Sequence, residues 1–158
     1  MTTRTLTAAD GALTLHTGVD GRAARFGHNL TITLPNWTAT IDVADAMPTS
    51  LSLEIAPSEL QITSGSGGLT PVTDLDRATI KRTATKSLDT KTHPQANFTS
   101  SDIEPTDSGY RIAGHARIKG TEHPVKLTVE AKTVTDGIAL EGSVFVNQSD
   151  FGVKPYSA

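Results

Sequence analysis

The sequence contains no cysteine, and this absence removes several kinds of chemistry at once. Disulfide bonds, thiol nucleophiles and thiolate metal sites are excluded, and the composition suits a reducing compartment. Aromatic residues are also scarce, at 4% of the chain with a single tryptophan. We therefore expect one domain whose core is built from leucine, isoleucine, valine and alanine, because 158 residues are enough to bury such a core.

Long apolar runs and clustered positive charge are missing as well. No run of about 18 apolar residues is present, so the sequence predicts no membrane span. The opening residues, Met1 to Asp10, lack the apolar segment of a secretory signal, which favours a cytoplasmic location. The net charge is −3 with basic residues spread along the chain, and this distribution argues against binding to nucleic acid.

What the chain has in abundance is threonine, with 25 residues, and apolar side chains at alternate positions. Threonine favours strands, and alternation predicts strands with one apolar face. The parity of the apolar positions changes at Pro35-Asn36, where we expect a turn or a bulge. The segment Ser64–Gly68 is rich in serine and glycine and predicts a flexible loop.

One segment departs from this period and predicts a helix at about residues 74–89. Ile80, Ala84 and Leu88 recur at the spacing of one helical face, and Pro94 closes the region. About eight strands joined by hairpins, with one inserted helix, predict a sandwich or an up-and-down barrel. Small residues on apolar strand faces either leave room for a ligand in a barrel or mark bends. They are Gly114, Ala116, Ala131 and Gly142.

Residues with catalytic or metal-binding potential form no recognisable signature. The histidines have no metal-ligand spacing, and no Gly-x-Ser-x-Gly elbow is present. The triplet Asp150-Phe151-Gly152 lacks the other kinase motifs. The sequence therefore predicts no catalytic residue, no metal and no cofactor, with His28 as the best candidate if the protein is an enzyme.

Several short motifs follow one another along the second half of the chain. They are Asp76-Arg77, Leu88-Asp89, His93-Pro94, Phe98, Ile118-Lys119-Gly120, Pro124-Val125 and Asp150-Phe151-Gly152. Each motif is weak alone, but their order and spacing together resemble the YceI-like family. The resemblance covers most of the chain and is strongest over residues 73–152, and residues 17–28 resemble a divergent, cytoplasmic-type branch of the family.

The resemblance implies an all-β fold, a lipocalin-like antiparallel β-barrel with a side helix, spanning residues 1–158 as one domain. It also implies a non-enzymatic function, the binding of a polyisoprenoid, quinone or fatty-acid-like lipid in an apolar tunnel for carriage or storage. Family members usually continue into one more strand, so either the chain lacks a final strand or a sheet edge stays open. A homodimer is one way to cover such an edge.

The expected ligand contacts fall into two groups. Apolar residues that share one parity of their strands form the expected tunnel wall, with the inward direction taken from hydrophobicity and the family. They are Trp37, Phe98, Ile112, Leu127, Val129, Leu140 and Val144. A phosphorylated head group would need donors at the barrel mouth. The candidates are Arg25, His28, Lys91 and His93.

Two other functions stay open at this point. A domain with a solid core would act as a protein-interaction module without a ligand. A small hydrolase or isomerase would use His28. A co-purified lipid distinguishes the first expectation from both.

Overall fold

The computed structural model describes residues 2–16, 29–66, 74–135, 137–144, 146 and 148–151. Most of these residues lie in strands, and one segment of them forms an α-helix, α1 (Asp74–Ser87). The strands are β1 (Thr2–Thr7), β2 (Thr14–His16), β3 (Asn29–Thr33), β4 (Trp37–Ala44), β5 (Met47–Ile55), β6 (Gln61–Ser66), β7 (Ala96–Pro105), β8 (Gly109–Ile118), β9 (Thr121–Val134) and β10 (Gly137–Ser143).

The strands form two antiparallel sheets. The larger sheet has seven strands in the order β1-β4-β5-β7-β8-β9-β10 and curls into a half-barrel. The smaller sheet has three strands in the order β2-β3-β6. This architecture confirms the lipocalin-like all-β fold and the inserted helix. β1 is an additional strand that the apolar alternation did not indicate.

Tight hairpins hold the large sheet in its up-and-down order. The turn between β4 and β5 is Asp45-Ala46, and the turn between β8 and β9 is Lys119-Gly120. All four residues have positive φ, between 53° and 77°. Two-residue turns of this kind match the right-handed twist of the strands that they join. The pairing of Ile118 with Thr121 closes the hairpin between β8 and β9.

Side chains on one face of the half-barrel are more buried than those on the other. Along β9, residues 123–131 alternate strictly, with odd positions half-buried and even positions exposed. On β8 the buried positions are Ile112 and Gly114. Strand pairing joins Ile112 to Leu127 and Gly114 to Val125, so the buried positions of β8 and β9 share one face. We call this the concave face.

The N-terminal strand is held to the sheet by a side-chain network on the opposite face. Asp42 on β4 accepts hydrogen bonds from the hydroxyls of Thr3 and Ser50, both at 2.8 Å. These two hydrogen bonds, Thr3 first, lower the pKa of the Asp42 carboxyl because they favour its charged form. The network therefore links β1, β4 and β5 across their exposed side.

The small sheet and α1 pack around a cluster of their own. Ile32 and Leu60 are 5% and 2% exposed, and Leu34, Ile80 and Ala84 pack against them. The predicted helical face of Ile80 and Ala84 thus contacts the small sheet, as a side helix should.

Two expectations about the segments around this sheet were incomplete. Pro35-Asn36 is neither a hairpin turn nor a bulge within one strand, because it carries the chain from β3 in the small sheet to β4 in the large one. The loop predicted for Ser64–Gly68 is wrong for residues 64–66, which belong to β6 and pair with β3. Hydrogen bonds from the neighbouring strand outweigh the weak strand preference of glycine and serine there. Gly67 and Gly68 lie outside the described residues.

A Schellman motif ends α1. Asp89 has φ of +50°, its N–H donates to the carbonyl of Lys86, and the N–H of Thr90 donates to the carbonyl of Thr85. The chain then turns towards β7, since the N–H of His93 donates to the carbonyl of Asp89 at 2.8 Å. The helix end therefore fixes where His93 begins the approach to the large sheet.

Candidate functional site

The expected wall residues lie together on the concave face. Strand pairing sets Trp37 opposite Ile55, Phe98 between Leu53 and Ala116, and Ile112 opposite Leu127. It also sets Val129 opposite Gly142, and Leu140 opposite Ala131. Val144, two residues beyond Gly142, lines a cavity of about 150 Å³ beside β9. The pairing register thus gathers residues that are up to about 100 positions apart in sequence into one surface.

Exposure along this surface is lowest on the middle strands, β7 and β8, and highest at β10. Phe98 and Ile112 are buried at 8% and 5%, whereas Leu140 and Val144 are 48% and 45% exposed. Ile138, which pairs with Thr133 at the far end of β10, is 69% exposed. The concave face is therefore closed over its middle strands and open on its last strand.

Not every small residue on this face leaves empty space. A side chain at Gly114 would meet the backbone of Thr99, and it would lie 2.7 Å from the Phe98 Cζ atom. The ring of Phe98 therefore occupies the volume that Gly114 leaves free. At Gly142 the nearest atoms are the Thr128 carbonyl oxygen and a Val129 methyl group, both at 3.1 Å. The smallness of these two residues serves close packing.

The expected head-group residues are only partly within the described chain. Arg25 and His28 lie outside it. Lys91 is exposed, and His93 is half-buried. The His93 ring lies against Gly120, where an added Cβ would sit 2.7 Å from its Cε1 atom. Two of the short motifs quoted above, His93-Pro94 and Ile118-Lys119-Gly120, therefore meet in space at the β8–β9 turn.

A contact that the sequence reasoning missed involves His123, Asp150 and Phe151. The Nε2 atom of His123 lies 3.9 Å from an Asp150 carboxylate oxygen, and its ring meets the Phe151 ring edge-on with centroids 5.7 Å apart. Phe151 is 2% exposed. It belongs to a short 3-10 helix, Gln148–Phe151, that packs on β9. His123 shares the parity of Val125, and that signal could have placed it on the apolar face.

One polar atom near this face lacks a partner. The indole nitrogen of Trp37 is shielded from solvent, and no acceptor reaches it within the part of the chain that the structure describes.

The side-chain hydroxyl of Ser100 links two strands of the large sheet, since it accepts a hydrogen bond from the N–H of Leu51 at 2.8 Å. That bond joins β5 and β7 beyond Ser52, where their regular pairing ends.

Neither a metal-ligand cluster nor a membrane-spanning helix occurs among the described residues. In the part of the chain that the structure describes, no three His, Asp or Glu side chains lie close enough together to hold a metal ion. The described part of the chain likewise has no helix with the length and apolarity needed to cross a membrane.

A curled antiparallel sheet with an apolar concave face defines the class of lipocalin-like binding barrels. A model of the YceI-like domain matches residues 14–157. The chain therefore belongs to the YceI-like family, a family of proteins that bind polyisoprenoids and other lipids rather than act as enzymes. The motif order in the sequence had indicated this family, and the match confirms it.

Solved structures show the same fold. The chain is similar to BcnA of Burkholderia cenocepacia, with 22% identity and a TM-score of 0.62 over 78% of this chain and 72% of that one. It is also similar to the YceI protein of Campylobacter jejuni, with 17% identity and a TM-score of 0.58 over 88% of this chain and 75% of that one. None of the curated proteins matches the chain.

Proposed function

We propose that this protein binds one long apolar lipid, a polyisoprenoid, a quinone or a fatty-acid-like chain, along its concave face, and that it carries or stores that lipid. The observation that supports this most directly is the apolar surface formed by β10 and by Val144 just after it. Ile138, Leu140 and Val144 are exposed at 69%, 48% and 45%, beside the buried apolar strands. A contiguous apolar surface of this kind on a monomer commonly marks a binding site.

The energetic argument favours a long ligand over a small one. Burial of each CH₂ group contributes about 0.8 kcal/mol, so a prenyl or acyl chain gains affinity with length. A preformed sheet also lowers the ordering cost that opposes binding. The proposed wall runs from Trp37 on β4 to Leu140 on β10, with Phe98, Ile112, Leu127, Val129 and Val144 between or beside them. We treat residues 1–158 as a single domain built around this wall.

A head group at the end of the sheet near Trp37 is consistent with this arrangement. β4 begins there with Trp37, β5 ends at Ile55, and the β8–β9 turn lies at the same end, with His93 against Gly120. We propose Lys91 and His93 as donors for an anionic head group at this mouth. Arg25 and His28 stay predictions, because they lie outside the described residues.

Co-purified lipid is the first test. Native mass spectrometry of gently purified protein should show an added mass that organic extraction removes. Leu127→Trp and Leu140→Trp place a bulky ring on the proposed wall, and each should reduce the bound fraction by about tenfold, equal to about 1.4 kcal/mol. Thr128→Trp is the matched control, because Thr128 lies next to Leu127 but on the exposed face.

The outcome for the folded variants decides the assignment. Lipid binding that survives in Leu127→Trp and Leu140→Trp would show that the wall is drawn wrongly. Equal loss in Thr128→Trp would show that any added ring disrupts the sheet. Absence of lipid from the wild type, together with no binding of prenyl lipids added afterwards, would remove the function itself.

A protein-interaction module is the second candidate, and one observation favours it. The Phe98 ring fills the space above Gly114, so the middle of the concave face is packed with side chains rather than hollow. The partner would then cover β10, and a second copy of this chain is one such partner. A dimer that persists after lipid extraction, with no lipid binding in either state, would support this candidate over the first.

A further inference from the structure

Positive charge is concentrated on and just after α1, although basic residues occur along the whole sequence. Residues 77–91 contain five of the 14 Lys and Arg residues but one of the 17 Asp and Glu residues, which gives them a net charge of +4. The rest of the chain has nine basic and 16 acidic residues, and its net charge is −7. A chain that is acidic overall therefore contains one strongly basic segment.

Two of these charges lie on the outer face of the helix. Ile80 and Ala84 pack against the small sheet. Arg82 is two residues from each of them, a rotation of about 200° around the helix, so its side chain points away from that sheet. Lys86 lies one turn further along the same face, and both basic residues are exposed. The helix therefore buries one face and presents two positive charges on the opposite one.

These two charges lack the carboxylate partners that arginines of the large sheet have. Arg111 and Arg117 on β8 lie 3.8 and 3.9 Å from glutamate carboxylate oxygens. Among the described residues, Arg82 and Lys86 form no such pair. As like charges four residues apart on a helix, they repel each other. The C-terminal end of the helix dipole favours Lys86 in the last turn, but Arg82 lies one turn further away. An anionic surface outside the protein would relieve this repulsion.

The basic segment leads to the mouth of the proposed lipid site. The N–H of His93 donates to the carbonyl of Asp89, so the chain folds back immediately after the helix. Lys91, which is exposed, lies within this short connection. The His93 ring then contacts Gly120 in the β8–β9 turn, where the anionic head group is proposed to bind. The outer face of α1 and the mouth are therefore neighbours.

We propose that the outer face of α1, through Arg82 and Lys86, docks this protein on an anionic membrane surface. The face has threonines between its two basic residues and no large apolar side chain, so the contact is electrostatic and does not insert into the bilayer. On the basis of the lipid-binding function above, docking holds the mouth against the bilayer that supplies or receives the lipid.

A bilayer fits this charge pattern better than a protein partner does. Stable protein partners bury an apolar core within their interface, whereas the outer face of α1 offers threonine, arginine and lysine. Each basic residue close to an anionic bilayer increases affinity roughly fivefold. Salt limits the interaction to a distance of about 8 Å, so the bilayer repels the acidic remainder of the chain only weakly.

Co-sedimentation of the full chain with vesicles tests the proposal. At low ionic strength the wild type should bind vesicles of phosphatidylcholine and phosphatidylglycerol in equal parts, and it should not bind vesicles of phosphatidylcholine alone. The double variant Arg82→Gln with Lys86→Gln should lower the affinity about 25-fold, because each lost charge contributes roughly fivefold. Glutamine has a helix propensity close to those of arginine and lysine, so α1 should keep its fold.

Arg111→Gln with Arg117→Gln is the matched control, because it removes the same charge from the large sheet. It should change the affinity less than about twofold, since those arginines already have carboxylate partners. Equal loss in both double variants would show that net charge, rather than α1, drives the binding, and would overturn the proposal.

Three other results bear on the inference. Equal binding to both kinds of vesicle would overturn it, as would an α1 variant that binds as tightly as the wild type. Binding of polyglutamate through α1 without binding to either vesicle would assign the face to an acidic protein instead. If the wild type takes up no lipid but still docks on anionic vesicles through α1, the docking surface stands and the proposed lipid-binding function fails.

Discussion

Replacing Gly114 with alanine should destabilise the half-barrel, because the added methyl group has no space. An ideal Cβ at this position lies 2.7 Å from the Phe98 Cζ atom and 2.8 Å from the Ser100 Cα atom, closer than real Cβ contacts occur. Phe98 is 8% exposed, so its ring cannot swing into solvent without losing buried area. The strand backbone of β7 cannot withdraw without breaking its pairing with β8.

Overpacking of a buried site typically costs about 1–3 kcal/mol. We expect Gly114→Ala to fall at the upper end of that range, about 3 kcal/mol, because backbone as well as side chain obstructs the methyl group. For a chain of this size each kcal/mol lowers Tm by about 2–4 °C. Urea unfolding at constant m-value gives the change in free energy directly.

A matched control is available in the same chain. Gly11 has nothing within 4 Å of its would-be Cβ, and Gly11→Ala should change stability by no more than about 0.5 kcal/mol. The double variant Phe98→Leu with Gly114→Ala should recover part of the loss, since only the ring contact is relieved. If Gly114→Ala is as stable as the wild type, the Phe98 ring does not lie where the structure places it, and the packed centre of the concave face is wrong.

Two further predictions concern the Asp42 network, on the face opposite the concave face, and the 3-10 helix Gln148–Phe151. Hydrogen bonds lower the pKa of Asp42, so its contribution is present above the pKa of the unfolded chain and is lost as pH falls through the lower folded value. The stability difference between wild type and Asp42→Asn, followed by urea unfolding, should therefore be constant near neutral pH and shrink below about pH 4, and Thr3→Val should remove much of that pH dependence. A stability difference between wild type and Asp42→Asn that does not change with pH would contradict this prediction. Phe151→Ala should cost about 3 kcal/mol or more, because Phe151 is 2% exposed, whereas Ile138→Ala, at 69% exposure, should cost less than about 1 kcal/mol. If thermal unfolding shows that Phe151→Ala and Ile138→Ala lose the same amount of stability, Phe151 is not anchored on β9.

Much of the fold could be predicted because apolar residues recur at every second position along several of its strands. Alternation identified β3, β4, β8 and β9, and the change to helical spacing placed α1 within two residues of its observed end at Ser87. β1 was missed because its sequence, Thr-Thr-Arg-Thr-Leu-Thr, has one apolar residue and is exposed almost throughout. Its threonines were the only available signal.

The site could be predicted less well than the fold, since a site depends on pairing between distant strands. The parity of Ile112 and Leu127 was evident on each strand alone, but the ladder between β8 and β9 decides that they share a face. The packing of Phe98 over Gly114 depends on the same kind of register. Nothing in a sequence reveals that the indole nitrogen of Trp37 is shielded without an acceptor.

Within the described residues the large sheet has seven strands, an odd number, and each strand runs antiparallel to its neighbours. Its first and last strands, β1 and β10, therefore point in the same direction. If these two edges met directly, they would have to pair in parallel, against the pattern of the whole sheet. One further strand of opposite direction, from whatever source, would instead pair antiparallel with both edges and complete an even-numbered ring. Strand parity thus allows the half-barrel to close with antiparallel pairs throughout only if one more strand joins it.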